Sequence, residues 1–543
     1  MTIKIFSVAE MVAAEKAADA AGVTYDQMME TAGRSVAQAI IERYPVAGWR
    51  VLVLVGPGNN GGDGLVAGRY LAEAGADVAF YLFKSRDPEK DANYAQIQQM
   101  NLFNVEAAFD QRFRVLRTRL NVTDLLVDAL LGTGVSRPIE GDLAKLMQQT
   151  QSGLQDRRAF LAAEQRPTLT STTRVTPAPP PPRSPARLLP VIAVDCPSGL
   201  NADTGELDPA AIPADLTVTF AGPKRGHFNF PGAAAGGELV VADIGIPADL
   251  PEVQSVALEL VTADRARELL PPRPADGHKG TFGKALIVAG SDHYWGAPAL
   301  AALAALRSGA GLVALAVPEK IRPTIAGQIP EATYPPVADQ TTFSADGARY
   351  LLQKMNTYQS LLVGPGLGEA AEFMVALLER HHDLPPLVVD ADGLNLLAQM
   401  DGWPGRLPPN TVLTPHPGEM ARLLGVSLSE LKPMDRVEVA RDKATEWDHV
   451  VLLKGAYTVI AAPDGRCALL PFANPALATG GTGDVLAGVI VSLLAQGVEP
   501  YQAAVLGGYL HGAAAERYGK KAGLLARELG NLIPEAYHAL SVL

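Results

Sequence analysis

Hydrophobic positions along the chain fall into short unbroken runs, and most of these runs close on a glycine or an acid. Residues 50–55 (Arg-Val-Leu-Val-Leu-Val) lack polar alternation and are too short for a helix, so they read as a strand buried on both faces. The run passes straight into Gly56-Pro-Gly-Asn-Asn-Gly-Gly-Asp-Gly64, and residues 65–74 then read as a helix. Runs 124–128 and 189–195 end in Asp128 and Asp195, the second followed by Cys-Pro-Ser-Gly199. Upstream, Ser7 and Glu10 have capping-box spacing, Gly22 can close that helix, and Thr24 with Gln27 opens another running toward Pro45. Two helices are therefore expected before any strand. Residues 238–247 read as a closing strand, and the prolines at 247, 251 and 271–274 break the pattern.

A second βα alternation comes after this break. Strands are expected at 284–289, 312–317, 360–363, 386–390, 411–414 and 450–454, with helices at 262–270, 297–308 and from 319. Asn474-Pro-Ala-Leu-Ala-Thr-Gly-Gly-Thr-Gly-Asp484 then leads into an apolar helical run, 485–494. Strands that finish in polar or glycine turns suit doubly wound sheets, each with a site along one edge. The expected fold is α/β, with two three-layer domains at 1–250 and 260–543. Within the first, residues 155–188 are dense in proline (Thr-Pro-Ala-Pro-Pro-Pro-Pro-Arg183) and predict a disordered surface excursion rather than core. Gly364-Pro-Gly366 echoes Gly56-Pro-Gly58, but nothing around the two aligns further, so no internal repeat is read.

Composition narrows the function. A chain of 543 residues exceeds one ordinary core, and a net charge of −12 argues against nonspecific binding to nucleic acid or an anionic membrane. The only cysteines, Cys196 and Cys467, sit in no metal-ligand spacing and suggest a reducing compartment. No run reaches about 18 apolar residues and no export signal opens the chain, so a cytoplasmic protein without a membrane span is expected.

The chemistry-bearing residues cluster in the turns. Gly480, Gly481 and Gly483 ahead of a helix can gather backbone N–H groups around an anion, which makes a phosphate cradle. Asp484 beside it would be repelled by that anion unless it takes a substrate proton or helps hold a cation; an ordinary helix cap is the alternative. Gly56-x-Gly58-x-x-Gly61 matches the dinucleotide fingerprint of dehydrogenases, but no acid follows the next apolar run, 78–83, and Asn59, Asn60 and Asp63 crowd the turn. That reading is rejected. Asn60, Asp63, Asp128, Asp195 and Ser198 follow three strands and could share one crevice, although each alone also reads as a cap or turn former. The loop Asp276–Gly283 with Lys279 reads either as a phosphate lid or as an exposed turn, and His416 either as a ligand-facing residue or as a backbone-bonded one.

Four blocks of the first half, Gly58-Asn-Asn-Gly-Gly-Asp-Gly64, Asp128-Ala-Leu-Leu-Gly-Thr-Gly134, Asp195-Cys-Pro-Ser-Gly-Leu200 and Thr217-Val-Thr-Phe-Ala-Gly-Pro-Lys224, together resemble the NAD(P)H-hydrate epimerase family. The resemblance implies that Asn59, Asn60, Gly61, Gly62 and Asp63, with Gly132, Thr133, Gly134, Val135, Ser136, Arg137 and Pro138, hold the hydrated nucleotide. It implies a potassium ion on Asn60, Asp128 and Ser198, and Asp195 at the reacting hydrate as acid/base. One carboxylate among neutral oxygens suits such a cation better than zinc.

The second half carries His278-Lys-Gly-Thr-Phe-Gly283, Gly364-Pro-Gly-Leu-Gly368, Thr414-Pro-His-Pro-Gly-Glu419, Lys454-Gly455 and Gly480-Gly-Thr-Gly-Asp484. This ordered set is similar to the ribokinase-like ADP/ATP-dependent NAD(P)H-hydrate dehydratases. By that resemblance Ala297, Gly366, His416 and Asp484 contact the hydrate, and Lys454, Gly455, Ala456, Tyr457, Thr458 and Gly483 contact ADP or ATP with Mg2+. The implied protein is a two-activity repair enzyme for hydrated NADH and NADPH, with Asp484 as catalytic base and a homo-oligomer compatible. Two alternatives stand: a small-molecule kinase that releases its phosphorylated product, and a first domain that only binds.

Overall fold

The structure is a computed structural model describing residues 3–164, 189–336 and 342–542. Internal packing divides the chain after Val256 into two units, with Ile3 grouping with the second. A two-residue strand, β1 (Ile3–Lys4), precedes the first helices, α1 (Val8–Ala20) and α2 (Tyr25–Arg43), so the expectation of two helices before any strand is corrected. Both helices begin with the capping boxes read from Ser7/Glu10 and Thr24/Gln27.

The first unit is built on a seven-stranded sheet of β2 (Arg50–Val55), β3 (Asp77–Leu82), β4 (Phe103–Glu106), β5 (Leu125–Ala129), β6 (Val191–Val194), β7 (Leu216–Phe220) and β8 (Glu238–Ala242). Its order is β4-β3-β2-β5-β6-β7-β8, with every pairing parallel. Successive side chains of β2 enter opposite cores. Val51, Val53 and Val55 pack in one layer with Val36 and Leu65, while Leu52 and Leu54 pack in the other with Leu116 and Leu146. A sheet covered on both faces explains why its central strand carries no polar alternation.

Two sequence expectations change here. The glycine-rich stretch after β2 is not a loop ahead of a helix: α3 spans Asn59–Glu73, so its first turn is made from those glycines. The helix Gly141–Glu164 continues well past Gln155, so the start of the expected disordered excursion is helical. Its spacing of Leu154 and Leu161, both buried, outweighs the proline-rich composition further along the chain. Residues 165–188 lie outside the described residues.

The second unit carries a ten-stranded mixed sheet. Its strands after β1 are β9 (Leu258–Leu260), β10 (Lys284–Val288), β11 (Leu312–Ala316), β12 (Ser360–Val363), β13 (Leu387–Val389), β14 (Val412–Leu413), β15 (Val450–Leu453), β16 (Val459–Ala461) and β17 (Cys467–Leu469). The run β11-β10-β12-β13-β14-β15 is parallel throughout, and β16 turns back antiparallel on β15. The helix Thr482–Ala495 lies buried through nearly its whole length, every residue from Val485 to Ala495 being covered. It packs so tightly on the helix Gly296–Arg307 that a Cβ on Gly488 would sit 2.2 Å from the Ala301 carbonyl oxygen. Among the described residues no helix is long and apolar enough to cross a membrane.

Candidate active sites

In the first unit, the turn between β2 and α3 is pinned from outside by Arg86. Its guanidinium donates to the carbonyl oxygens of Gly56 and Gly58, each at 2.7 Å, and pairs with Asp91 at 2.5 Å. Gly58 is the N-cap and supplies no side-chain acceptor; the Gly61 N–H bonds to the Gly58 carbonyl oxygen at 3.1 Å, and the rest of the first turn has no side-chain cap. Gly61 has no room for a side chain, since a Cβ there would lie 2.2 Å from the Gly56 oxygen. Close approach, rather than left-handed backbone, is what that glycine provides.

Asp128 ends β5 fully buried and collects the Ser198 hydroxyl at 2.6 Å, the Ser198 N–H at 2.9 Å and the Leu130 N–H at 3.3 Å. Burial pushes its pKa up to about 6 against those hydrogen bonds. Asn60 approaches the loop that leaves β5, its Oδ1 lying 3.1 Å from where a Cβ of Gly132 would be. The Asn60 amide nitrogen is buried without a hydrogen-bond partner. Beyond Gly132, residues Val135, Ser136, Arg137 and Pro138 line a cavity of about 440 Å³ together with Gly199 and Glu206.

Asp195 follows β6 with φ +62°, a left-handed conformation that a non-glycine residue holds only where its surroundings enforce it. Its N–H is held by the Val218 carbonyl oxygen at 2.8 Å, and its carboxylate by Lys224. The Lys224 ammonium, 1% exposed, sits 2.5 Å from Asp195 Oδ1 and also reaches the Thr219 hydroxyl and the Phe220 carbonyl oxygen. Burial alone would raise the Asp195 pKa, but Lys224 and the Thr219 hydroxyl outweigh it and hold the carboxyl below its ordinary value. Asp63 behaves oppositely: burial, then the Asp195 and Glu15 charges, push it well up. Glu15 is likewise raised by burial and by Asp195. Glu15, Asn59, Asp63 and Phe220 line one small cavity of about 60 Å³. The arrangement therefore pairs a carboxylate kept ionised with carboxyls inclined to keep a proton, a separation typical of acid and base partners. Sequence reasoning gives Lys224 no role beyond its motif block and misses Glu15 altogether. One signal is available for the lysine: at the end of an apolar strand-and-turn block it needs a carboxylate.

In the second unit the site assembles from the ends of β13, β14 and β15 around the N-terminus of the helix Thr482–Ala495. Gly481 caps that helix with φ +89° and no side-chain cap, so its first-turn N–H groups receive no side-chain acceptor, while the Thr482 N–H bonds to the Thr479 carbonyl oxygen at 3.4 Å. Lys454, after β15, donates to Asp390 Oδ1 at 2.7 Å and lies 3.6 Å from Glu419. Thr414 donates to the same Asp390 oxygen at 2.8 Å. Burial would lower the Lys454 pKa, yet Asp390 and Glu419 raise it, so the ammonium is held charged. Asp484 is pushed up to about 7, first by burial and then by Asp390, with Lys454 pulling against them and Asp392 and Glu419 adding to the rise.

The other expected contact residues are spread around this cluster. Gly366 and Ala297 are neighbours, a Cβ on Gly366 falling 3.2 Å from the Ala297 Cβ. His416 is bonded to backbone in the way its plainer reading anticipates: Nδ1 accepts from the Gly418 and Glu419 N–H groups, while Nε2 faces Glu419 Oε1 at 3.3 Å. In the Lys454–Thr458 loop, Arg436 donates to the Ala456 carbonyl oxygen at 2.8 Å and Thr458 to that of Gly455 at 2.9 Å; Tyr457 has φ +54°. An apolar cavity of about 130 Å³ beside the loop is lined by Pro417, Leu431, Met434, Arg436 and Leu453. Lys279 lies exposed in a turn before β10. Asp390 and Thr414, which complete the cluster, close two of the strand runs read from sequence but carry no role in that reading.

A parallel three-layer unit with one polar crevice, joined in one chain to a mixed-sheet α/β unit whose acid sits at a glycine-capped helix, defines a two-site α/β enzyme. Comparison with known proteins makes this specific. Residues 285–535 match the family described as NAD(P)H-hydrate dehydratase, and residues 25–226 match the YjeF-related protein N-terminus. The bifunctional NAD(P)H-hydrate repair enzyme Nnr of Moorella thermoacetica is 39% identical over 520 residues, covering 93% of this chain and 90% of that protein. Its namesake from Escherichia coli is 34% identical over 521 residues, covering 95% and 90%. The chain belongs to the bifunctional NAD(P)H-hydrate repair enzyme family. Among solved structures, the ADP/ATP-dependent NAD(P)H-hydrate dehydratase from Bacillus subtilis co-crystallized with ATP/Mg2+ is 37% identical, covering 52% of this chain and 98% of that one, with a TM-score of 0.46.

Proposed function

We propose that the first unit interconverts the two epimers of hydrated NADH and NADPH, and that the second dehydrates one of them at the expense of ADP or ATP. The observation that carries the second assignment is the Asp484 carboxyl, raised toward neutrality, at the mouth of a helix N-terminus with the Lys454 ammonium alongside. Hydroxide is a poor leaving group. Asp484 takes the proton of the substrate hydroxyl as that oxygen attacks the terminal phosphorus of the nucleotide, and the N–H groups at 481–483 receive the developing charge. The phosphate ester then departs as inorganic phosphate, and loss of a neighbouring C–H proton restores the double bond. A divalent cation carried on the nucleotide phosphates supplies charge neutralisation to that transfer. The apolar cavity beside Lys454–Thr458 suits the adenine ring, and Ala297, Gly366 and His416 suit the hydrate.

In the first unit the uncapped start of α3 and the Gly132–Pro138 loop suit the nucleotide's phosphates and sugars. Asp195, kept ionised by Lys224, serves as the base, and Asp63 supplies a carboxyl inclined to stay protonated. Potassium fits Asn60, Asp128 and Ser198. Turning the Asn60 amide places its oxygen where the nitrogen finds no acceptor, in a crevice with a carboxylate and a hydroxyl. The ion would neutralise the buried Asp128 and hold the loop from β5.

The test is a coupled assay on the intact chain: hydrated NADH with ADP or ATP, with and without potassium. Return of nicotinamide absorbance with free phosphate supports dehydration. A phosphorylated hydrate that accumulates without that absorbance would favour the kinase reading. Chromatographic exchange of the epimers without nucleotide reports the first unit.

A further inference from the structure

Asp390 is 1% exposed and sits at the end of β13, on the floor of the dehydratase site. Its Oδ1 accepts from both Lys454 Nζ at 2.7 Å and Thr414 Oγ1 at 2.8 Å. A Cβ placed on Gly483 would lie 3.6 Å from Lys454 Nζ and 3.9 Å from Asp390 Oδ2. The ion pair therefore lies against the same turn that the proposed mechanism assigns to the transferable phosphoryl group. Lysine carries a point charge on a flexible four-carbon stem, so its usefulness to a phosphoryl group depends on something fixing it. Glu419, 3.6 Å away, is the other carboxylate paired with it, and it is engaged as well with the His416 N–H.

We propose that Asp390 is a positioning residue of the dehydration: braced by Thr414, it holds the Lys454 ammonium against the Gly483–Asp484 turn, where that charge meets the phosphoryl group in flight. The proposal rests on the dehydratase reading above and adds to it a residue that acts through another. Removing the Asp390 charge has two opposed consequences. Lys454 loses its anchor, so its charge is no longer placed for the transition state. The same lysine is also less neutralised, so the ground-state phosphates of the nucleotide are attracted at least as well as before. The charged groups facing Asp484 are Asp390, Asp392 and Glu419, which oppose its ionisation, and Lys454, which favours it. Taking away Asp390 leaves Lys454 less opposed, so Asp484 ionises at lower pH.

The experiment uses the full chain and steady-state dehydration of hydrated NADH with ADP across pH for Asp390→Asn and Thr414→Val. For Asp390→Asn the expected result is a fall in kcat of about tenfold or more, from lost preorganisation, with a KM for nucleotide that does not rise. The acid limb of kcat moves to lower pH. Thr414→Val, which loosens the brace but keeps the Asp390 charge, lowers kcat less, leaves the KM for nucleotide no higher and leaves the acid limb in place, and it carries the kcat test if the first variant does not fold. Two results overturn the proposal: kcat unchanged in both variants, or, in Asp390→Asn, kcat and KM worsening together with the acid limb unmoved. A wild-type chain that fails to dehydrate the hydrate sinks the functional reading and this proposal with it. An active wild type with unaffected variants sinks this proposal alone.

Discussion

Lys224 Nζ stands 2.5 Å from Asp195 Oδ1, an ion pair buried behind the end of β6 in which the lysine is 1% and the aspartate 13% exposed. The contact decides the protonation state of the group assigned to epimerisation. Lys224→Met keeps the volume and removes the charge, leaving a buried carboxylate without its counter-ion. Expected are a loss of about 3–5 kcal/mol of stability in the first unit, as when one partner of a buried pair is removed, and a collapse of epimer exchange. Denaturant unfolding and the exchange assay check both; unchanged values in the two measurements would remove Lys224 from the mechanism.

Asp484 titrates at about 7 in the folded protein, raised by burial and then by Asp390. A base must be ionised, so the dehydratase kcat should fall about tenfold per pH unit below that value. Stability runs the other way. Because the folded state prefers the protonated acid, stability is greatest below the ordinary carboxyl pKa and declines as pH rises toward about 7. Asp484→Asn is thus expected to abolish dehydration, by about 100-fold or more, while raising the melting temperature at pH 8. A variant that repairs the coenzyme at the wild-type rate would end the mechanism.

If potassium binds where proposed, Asp128, fully buried and raised to about 6, should couple that binding to protons. The ion needs the carboxylate, so potassium affinity should strengthen as pH rises through about 6 and weaken below it. Without potassium, the stability held by protonated Asp128 is lost as pH climbs from its ordinary value toward about 6. Ser198→Ala removes the 2.6 Å hydroxyl bond and should cost about 1–3 kcal/mol. Melting curves and epimer exchange against KCl at pH 5 and 7.5 measure the coupling; a potassium response identical at both would contradict it.

Gly61→Ala places a methyl group 2.2 Å from the Gly56 carbonyl oxygen, within the turn that Arg86 clamps. Overpacking against backbone should cost about 1–3 kcal/mol and open the α3 start, raising the KM of epimer exchange. Dehydration by the second unit in the same preparation is the internal control. Equal damage to both activities would mean the substitution acts on folding of the whole chain.

Most of the central parallel strands were legible in the sequence, because strands buried on both faces leave unbroken apolar runs such as 50–55 and 450–453, whereas the short strands β1, β4, β9, β16 and β17 were not. The two capping boxes and the helix after Asp484 were legible for a related reason, since they depend on contacts within a few residues. Three things were not. The helical turn at 61, 62 and 64 has room only for glycines, since a Cβ at each would strike Gly56, Met29 or Ala129, which no local propensity reports. Residues 155–164 remain helical because Leu161 finds a core to bury in. Most consequentially, which acid keeps its proton is an electrostatic property of groups far apart in the chain. Asp195 is held below its ordinary pKa by a lysine 29 positions later, and Asp484 is pushed up to about 7 because burial and the Asp390 charge both oppose its ionisation. The amino-acid order determined which residues stand at the ends of strands; only the folded packing, by removing water and setting unlike and like charges side by side, decided what each of them can do.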